Sequence, residues 1–132
     1  MATIANLIAA KKSGSIISVS PADTVYDALK LMAEKSIGAL LVMEQGEVKG
    51  ILSERDYARK VILHNKSSRD TKVSEIMTAP VISIPPETTP DAALAVMTAK
   101  HIRHLPVMKG NELQGVISIG DVVKFLLEEK DV

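Results

Sequence analysis

The chain contains no cysteine and no tryptophan, and its only aromatic residues are Tyr26, Tyr57 and Phe125. Without thiols, disulfides, thiolate metal sites and thiol nucleophiles are excluded. With so few rings, the core has to be built from Leu, Ile, Val, Met and Ala. An excess of one sign of charge is missing as well: 16 Lys and Arg balance 16 Asp and Glu. No global field therefore draws the chain to DNA or to an anionic membrane. Lys60, Lys66, Arg69 and Lys72 form a loose basic stretch, but it lacks the interleaved aromatics on which bases stack. No apolar run approaches the roughly 18 residues of a membrane span. Met1 to Ala10 is apolar but short, and Lys11 and Lys12 follow it rather than precede it, unlike a signal peptide. A cytoplasmic protein is expected, with neither nucleic acid nor membrane as a partner.

Catalytic signatures are scarce too. The three histidines are His64, His101 and His104. The last two are three residues apart, but no carboxylate stands beside them at metal-ligand spacing, and no HExxH pattern occurs. His101 is expected as a solvated residue at a helix end and His104 as a strand residue. There is no GxSxG, Walker A or GxGxxG motif. No pair of carboxylates is marked out as acid and base. No catalytic residue and no metal site is expected, so the chain reads as a non-enzyme.

What is present is a repeat. The 132 residues, 46% of them hydrophobic and 24% charged, suit one or two small globular domains. Slid along itself until Ser18 meets Ser83, the sequence matches its own second half without a gap. Ser18, Pro21, Thr24, Ala28, Leu29, Met32, Lys35 and Ile37 fall on Ser83, Pro86, Thr89, Ala93, Leu94, Met97, Lys100 and Ile102. Val42, Met43, Glu47, Gly50, Ser53 and Asp56 fall on Val107, Met108, Glu112, Gly115, Ser118 and Asp121. Each copy opens on a β-prone run, Ile16 to Val19 or Val81 to Ile84. An N-cap candidate follows (Asp23 or Thr24; Thr88 or Thr89), and then apolar residues at helical spacing. Two strands separated by a polar turn come next, Ala39 to Met43 and on to Ser53, or His104 to Met108 and on to Ser118. A second helix runs from about Glu54 to Leu63, or from about Gly120 to Glu128. The order is β-α-β-β-α, an α+β class. One copy of about 45 ordered residues is too small to bury a sufficient core alone. Two copies are expected to pack about a pseudo-two-fold axis. The expected boundaries are an N-terminal helix over 1–12, a first unit over 13–64, a linker over 65–74 and a second unit over 75–132.

The sharpest duplicated feature is the end of the second strand, Gly50-Ile-Leu-Ser53-Glu54-Arg55-Asp56 and Gly115-Val-Ile-Ser118-Ile-Gly-Asp121. A strand ends in Ser, and Asp follows three residues later as a helix begins. One reading is a capping box. The other is a ligand site, because a helix start attracts phosphate, a Ser hydroxyl donates to phosphate oxygen, and an Asp accepts from both hydroxyls of a ribose. A second feature favours the ligand reading. Arg103 and His104 stand where a helix gives way to a strand, and Arg is a fork-shaped phosphate binder. The first copy has Gly38 and Ala39 in those places.

These motifs, in this order and duplicated over almost the whole chain, resemble the cystathionine beta-synthase (CBS) domain pair in its small stand-alone bacterial form. The resemblance implies a regulatory module without catalysis, which binds AMP, ADP, ATP, NAD(H) or S-adenosylmethionine between its two units. It further implies a homodimer and signalling by a ligand-dependent change of conformation or assembly. Carried over by position, the first site would take Ser53, Glu54, Arg55 and Asp56 with Arg103, His104 and Pro106, and Pro80, Val81 and Ile82 would line the adenine. The second would take Ser118 and Asp121 with Ile16, Ile17, Ile37 and Gly38. The alternative is a protein-interaction module whose clefts bind nothing.

Overall fold

The computed structural model describes residues 2–11 and 17–130, with side chains to Glu128. The chain divides into two compact units. The first is residues 17–81. The second is residues 82–130 together with the N-terminal segment 2–11.

In the first unit, β1 (Ser18–Val19), α2 (Val25–Lys35), β2 (Ala39–Glu44), β3 (Glu47–Ser53), α3 (Glu54–Lys60) and α4 (Val73–Ile76) follow one another. The Thr24 hydroxyl caps α2 by accepting from the Asp27 N–H at 3.1 Å. Asp27 stands in the first turn and Lys35 in the last, where each sign of charge complements the helix dipole. Ser36, left-handed at φ 55°, ends the helix. The β2–β3 hairpin turns at Gln45 and Gly46, both with positive φ, as a tight turn between right-twisted strands requires. β1 runs parallel to β2 and β3 antiparallel to it. The core is aliphatic, with Val25, Ala28, Met32, Leu40, Val42 and Leu52 all buried. Each of its larger side chains contributes about 1.5–3 kcal/mol on burial.

The second unit repeats this plan with α5 (Pro90–Lys100), β4 (His104–Lys109), β5 (Glu112–Ser118) and α6 (Ile119–Lys130). Thr89 caps α5 as Thr24 caps α2, and His101, at φ 56°, ends it as Ser36 ends α2. His101 is an exposed helix-end residue and His104 opens a strand, as expected. Even the irregularity is copied: a register shift falls between Val42 and Met43 and again between Val107 and Met108.

The expected strand over Val81 to Ile84 does not form. Only Ile84 bridges to Val107, through its N–H on the Pro106 carbonyl and its carbonyl on the Met108 N–H. Pro106 occupies the place of Leu41, which pairs with Ser18 in the first unit, and it has no N–H to offer on that flank. Pro85 and Pro86 then end the run. The expected helix from Glu54 to Leu63 is also shorter: α3 stops at Lys60, and Ile62–His64 form a turn of 3₁₀ helix.

The largest difference lies outside the gapless repeat. The expected N-terminal helix is α1 (Ile4–Ala10), and it belongs to the core of the second unit, with Ile4 and Leu7 buried there. The stretch read as linker, 65–74, includes Thr71 and Val73, both buried in the first unit, and Val73 opens α4. The two short helices are counterparts. Val73 and Ser74 donate their N–H to the carbonyls of Asp23 and Pro21. Ile4 and Ala5 donate theirs to Thr88 and Pro86, which are the repeat equivalents. Met77 then packs over Gly50 as Ile8 packs over Gly115. A second correspondence, which matches Ile4 to Val73, is thus superposed on the first, which matches Ser18 to Ser83.

Candidate functional site

Ser53 is the last residue of β3 and the N-cap of α3, and Ser118 is the last residue of β5. Two contacts to the Asp are common to both. The Ser53 N–H donates to Asp56 Oδ2 at 3.0 Å, and the Asp56 N–H donates to Ser53 Oγ at 3.1 Å. The corresponding distances at Ser118 and Asp121 are 2.9 and 3.0 Å. The capping-box geometry, one of the two readings of the sequence, is therefore formed in both copies. It also places a carboxylate at a strand–helix junction in each unit.

The residue after each Ser ties in the preceding loop. The Glu54 N–H donates to the Gly38 carbonyl at 3.0 Å, and the Ile119 N–H donates to the Arg103 carbonyl at 2.9 Å. Across the strands, Ala39 faces Ser53 and His104 faces Ser118. Within the second unit, Arg103 and His104 accordingly stand beside the Ser118–Asp121 junction. Within the first, Gly38 and Ala39 stand beside Ser53–Asp56. Glu54, Arg55 and Arg103 are exposed, Ile17, Ile37, Gly38 and His104 are half-buried, and Pro106 is buried. Pro80 and Ile82 are exposed and Val81 is half-buried. Ile16 lies outside the described residues.

The two carboxylates differ in how they are satisfied. Asp56 is buried, and four donors surround it. Oδ2 accepts from the Ser53 N–H and hydroxyl. Oδ1 accepts from the Thr78 hydroxyl at 3.1 Å and pairs with Lys60 Nζ at 3.2 Å. Four donors match the acceptor sites of a carboxylate. Asp121 has a 30% exposed side chain, and Lys11 Nζ approaches its Oδ2 at 2.9 Å. The Lys11 ammonium and the Ser118 N–H both fall on Oδ2 of Asp121. Partial burial opposes ionisation of Asp121. The Ser118 N–H and hydroxyl and the Lys11 ammonium outweigh it and hold the carboxyl below its ordinary value.

Lys60, Thr78 and Lys11 were not among the expected site residues. Lys60 had a local signal, since it stands four residues beyond Asp56, where an opposite charge meets it on a helix. Thr78 and Lys11 had none, being 22 and 110 residues away from their partners. Among the described residues there is no group of three or more His, Asp or Glu placed to hold a metal ion. No described helix is long and apolar enough to cross a membrane.

The CBS domain family model matches residues 12–63 and 73–128. A mitochondrial CBS domain-containing protein of Arabidopsis thaliana, CBSX3, is 45% identical over 121 residues, covering 88% of this chain. The match spans 59% of that relative's length. The solved structure of a protein with CBS domains from Burkholderia ambifaria is 49% identical. It superposes with a TM-score of 0.94 over 98% of this chain and 96% of its own. The CBS domain pair of protein MJ0100, solved in complex with 5′-methylthioadenosine and S-adenosyl-L-methionine, shares the fold. Its TM-score is 0.84 at 21% identity, over 98% of each chain.

Proposed function

The chain belongs to the CBS domain family and carries the domain twice, and on that footing we propose that it is an adenosine-ligand sensor. Its ligand would be AMP, ADP, ATP or NAD(H), and occupancy would be the signal it passes on by a change of conformation or assembly. One observation carries this reading. Both units build the same strand–helix junction, with a serine hydroxyl and a carboxylate at the start of a helix. A vicinal diol needs such an acceptor, and a phosphate is drawn to such a hydroxyl and helix start. The solved pair that carries two adenosine compounds supports the same class of ligand. The proposed contacts are those named from the sequence, led by Asp56 and Asp121 as ribose acceptors and Arg103 as the phosphate donor. Self-association is proposed on the strength of α6, where Ile119, Val123 and Leu127 recur every fourth residue and remain exposed.

A second reading has an observation in its favour. Asp56 is already surrounded by four donors, and a box so complete can be structural alone. Calorimetry with AMP, ATP and NADH on the wild type, Asp56→Asn and Asp121→Asn separates the two. A ligand at about 100 times its Kd stabilises the fold by about 2.7 kcal/mol, so a rise in melting temperature should accompany binding. Loss of the tightest binding in Asp56→Asn is the expected result. Its loss only in Asp121→Asn would move the leading site to the other carboxylate. If no adenosine compound binds, the protein is an interaction module.

A further inference from the structure

The two units protect equivalent atoms by different means. In the first, a backbone segment does it. The Thr78 N–H donates to the Ile51 carbonyl at 2.9 Å, the Ile51 N–H returns to the Thr78 carbonyl at 3.0 Å, and the Thr78 hydroxyl reaches Asp56. In the second, the equivalents of Ile51 and Asp56 are Val116 and Asp121. Both are served by one side chain: Lys11 Nζ donates to the Val116 carbonyl at 2.9 Å and to Asp121 Oδ2 at 2.9 Å. Phe125 stands where the first unit has Lys60, so α6 supplies no cation of its own at that position. A flexible ammonium, 31% exposed, thus replaces a two-bond backbone bridge, a hydroxyl and a helix-borne lysine.

A side chain held in this way can be displaced. The diol of a ribose donates two hydrogen bonds. When the diol docks side by side on the carboxylate, Oδ1 of Asp121 takes the first and the second falls on Oδ2, where Lys11 sits. We propose that Lys11 is a positioning residue that competes with the ligand's ribose for Asp121, so that occupancy of Asp121 releases the end of α1. Lys11 is the C-cap of α1, its N–H bonded to the carbonyls of Leu7 and Ile8. Ile4 and Leu7 are buried, so the release is confined to the last turn. The inference rests on the adenosine reading of the junction and adds the element that responds.

Hydrogen exchange of the full chain, followed by mass spectrometry with and without AMP, ATP and NADH, tests it alongside calorimetry. The compounds that bind in an Asp121-dependent way should speed exchange at residues 9–11. In Lys11→Met, exchange there should be fast without ligand and indifferent to it. Nucleotide binding should tighten by about two- to fivefold, the equivalent of a partly exposed ion pair removed as competitor. Lys11→Arg should restore both the slow exchange and the response. Weaker binding in Lys11→Met would overturn the proposal, because Lys11 would then be a ligand contact. Asp121-dependent binding that leaves exchange at 9–11 unchanged would overturn it too. Binding of which no part is lost in Asp121→Asn overturns this inference and leaves the adenosine reading standing, whereas no binding of any of the three compounds overturns both.

Discussion

Gly50 and Gly115 occupy the same place in the two repeats, yet alanine should be costly at one and harmless at the other. A Cβ on Gly50 would lie 2.8 Å from Met77 Sδ and 2.9 Å from the Thr78 carbonyl oxygen. Real Cβ atoms do not approach so closely. Met77 can swing aside, but the Thr78 carbonyl is fixed by the backbone bridge to Ile51. The Thr78 hydroxyl in turn holds Asp56. Relieving the clash therefore strains the bridge and the junction together, an overpacking cost of about 1–3 kcal/mol. A Cβ on Gly115 would meet only Ile8, at 3.6–3.7 Å, which is ordinary contact. There the gain of roughly 0.5–1 kcal/mol from removing a strand glycine should prevail. Urea denaturation followed by far-UV circular dichroism should show Gly50→Ala lowered in midpoint and Gly115→Ala equal to or above the wild type. For a chain of this size the thermal midpoint should fall by about 3–10 °C in Gly50→Ala. Equal stabilities for the two variants, or a Gly50→Ala protein as stable as the wild type, would refute the reasoning from contact distance.

Three further outcomes follow from the same geometry. Ile4→Ala should destabilise the second unit by about 2–5 kcal/mol, the cost of emptying a core position, measurable by denaturant titration. A variant indistinguishable in stability from the wild type would mean that α1 is not part of that core. Ser53→Ala removes the N-cap acceptor of α3 and should cost about 0.5–2 kcal/mol by the same measurement, with Ser53→Thr largely restoring stability. Stability should also depend on acid through Asp121. Its carboxyl is held below the ordinary 3.8 in the folded chain, so the unfolded chain binds the proton first. The contribution is complete above that ordinary value and is lost as pH falls through the folded one. Denaturation followed from neutral pH down into the acid range should show a shallower acid limb in Lys11→Met than in the wild type. An identical limb would mean that the ion pair contributes nothing to folding.

Much of this protein was legible along the chain because its signals are local. Thr24 and Thr89 announce helix starts by their own hydroxyls, and Ser53-x-x-Asp56 and Ser118-x-x-Asp121 close within one turn. The alternation and length of the apolar runs define β2, β3, β4 and β5, the gapless self-match exposes the duplication, and the duplicated motifs carry the resemblance to the family. Pro106 and the prolines after Ile84 were legible too. Their effect on the entry strand was not, because it depends on which flank of β4 the missing N–H would have faced.

Partners distant in sequence belong to the tertiary structure. The match of α1 to α4 needs a different offset from the one that aligns the two units, so a single gapless shift does not reveal it. A four-residue helix such as Val73–Ile76 also forms only because Val73 and Ile76 have a core to enter, since so short a helix does not pay for its own nucleation. The same holds at the candidate site. The sequence by itself determined that each unit ends a strand on a serine with an aspartate one turn later. Only the folded chain decided that one aspartate is enclosed by four donors while the other shares its charge with Lys11. Which cation meets a carboxylate depends on where distant backbones come to rest, and no periodicity records that.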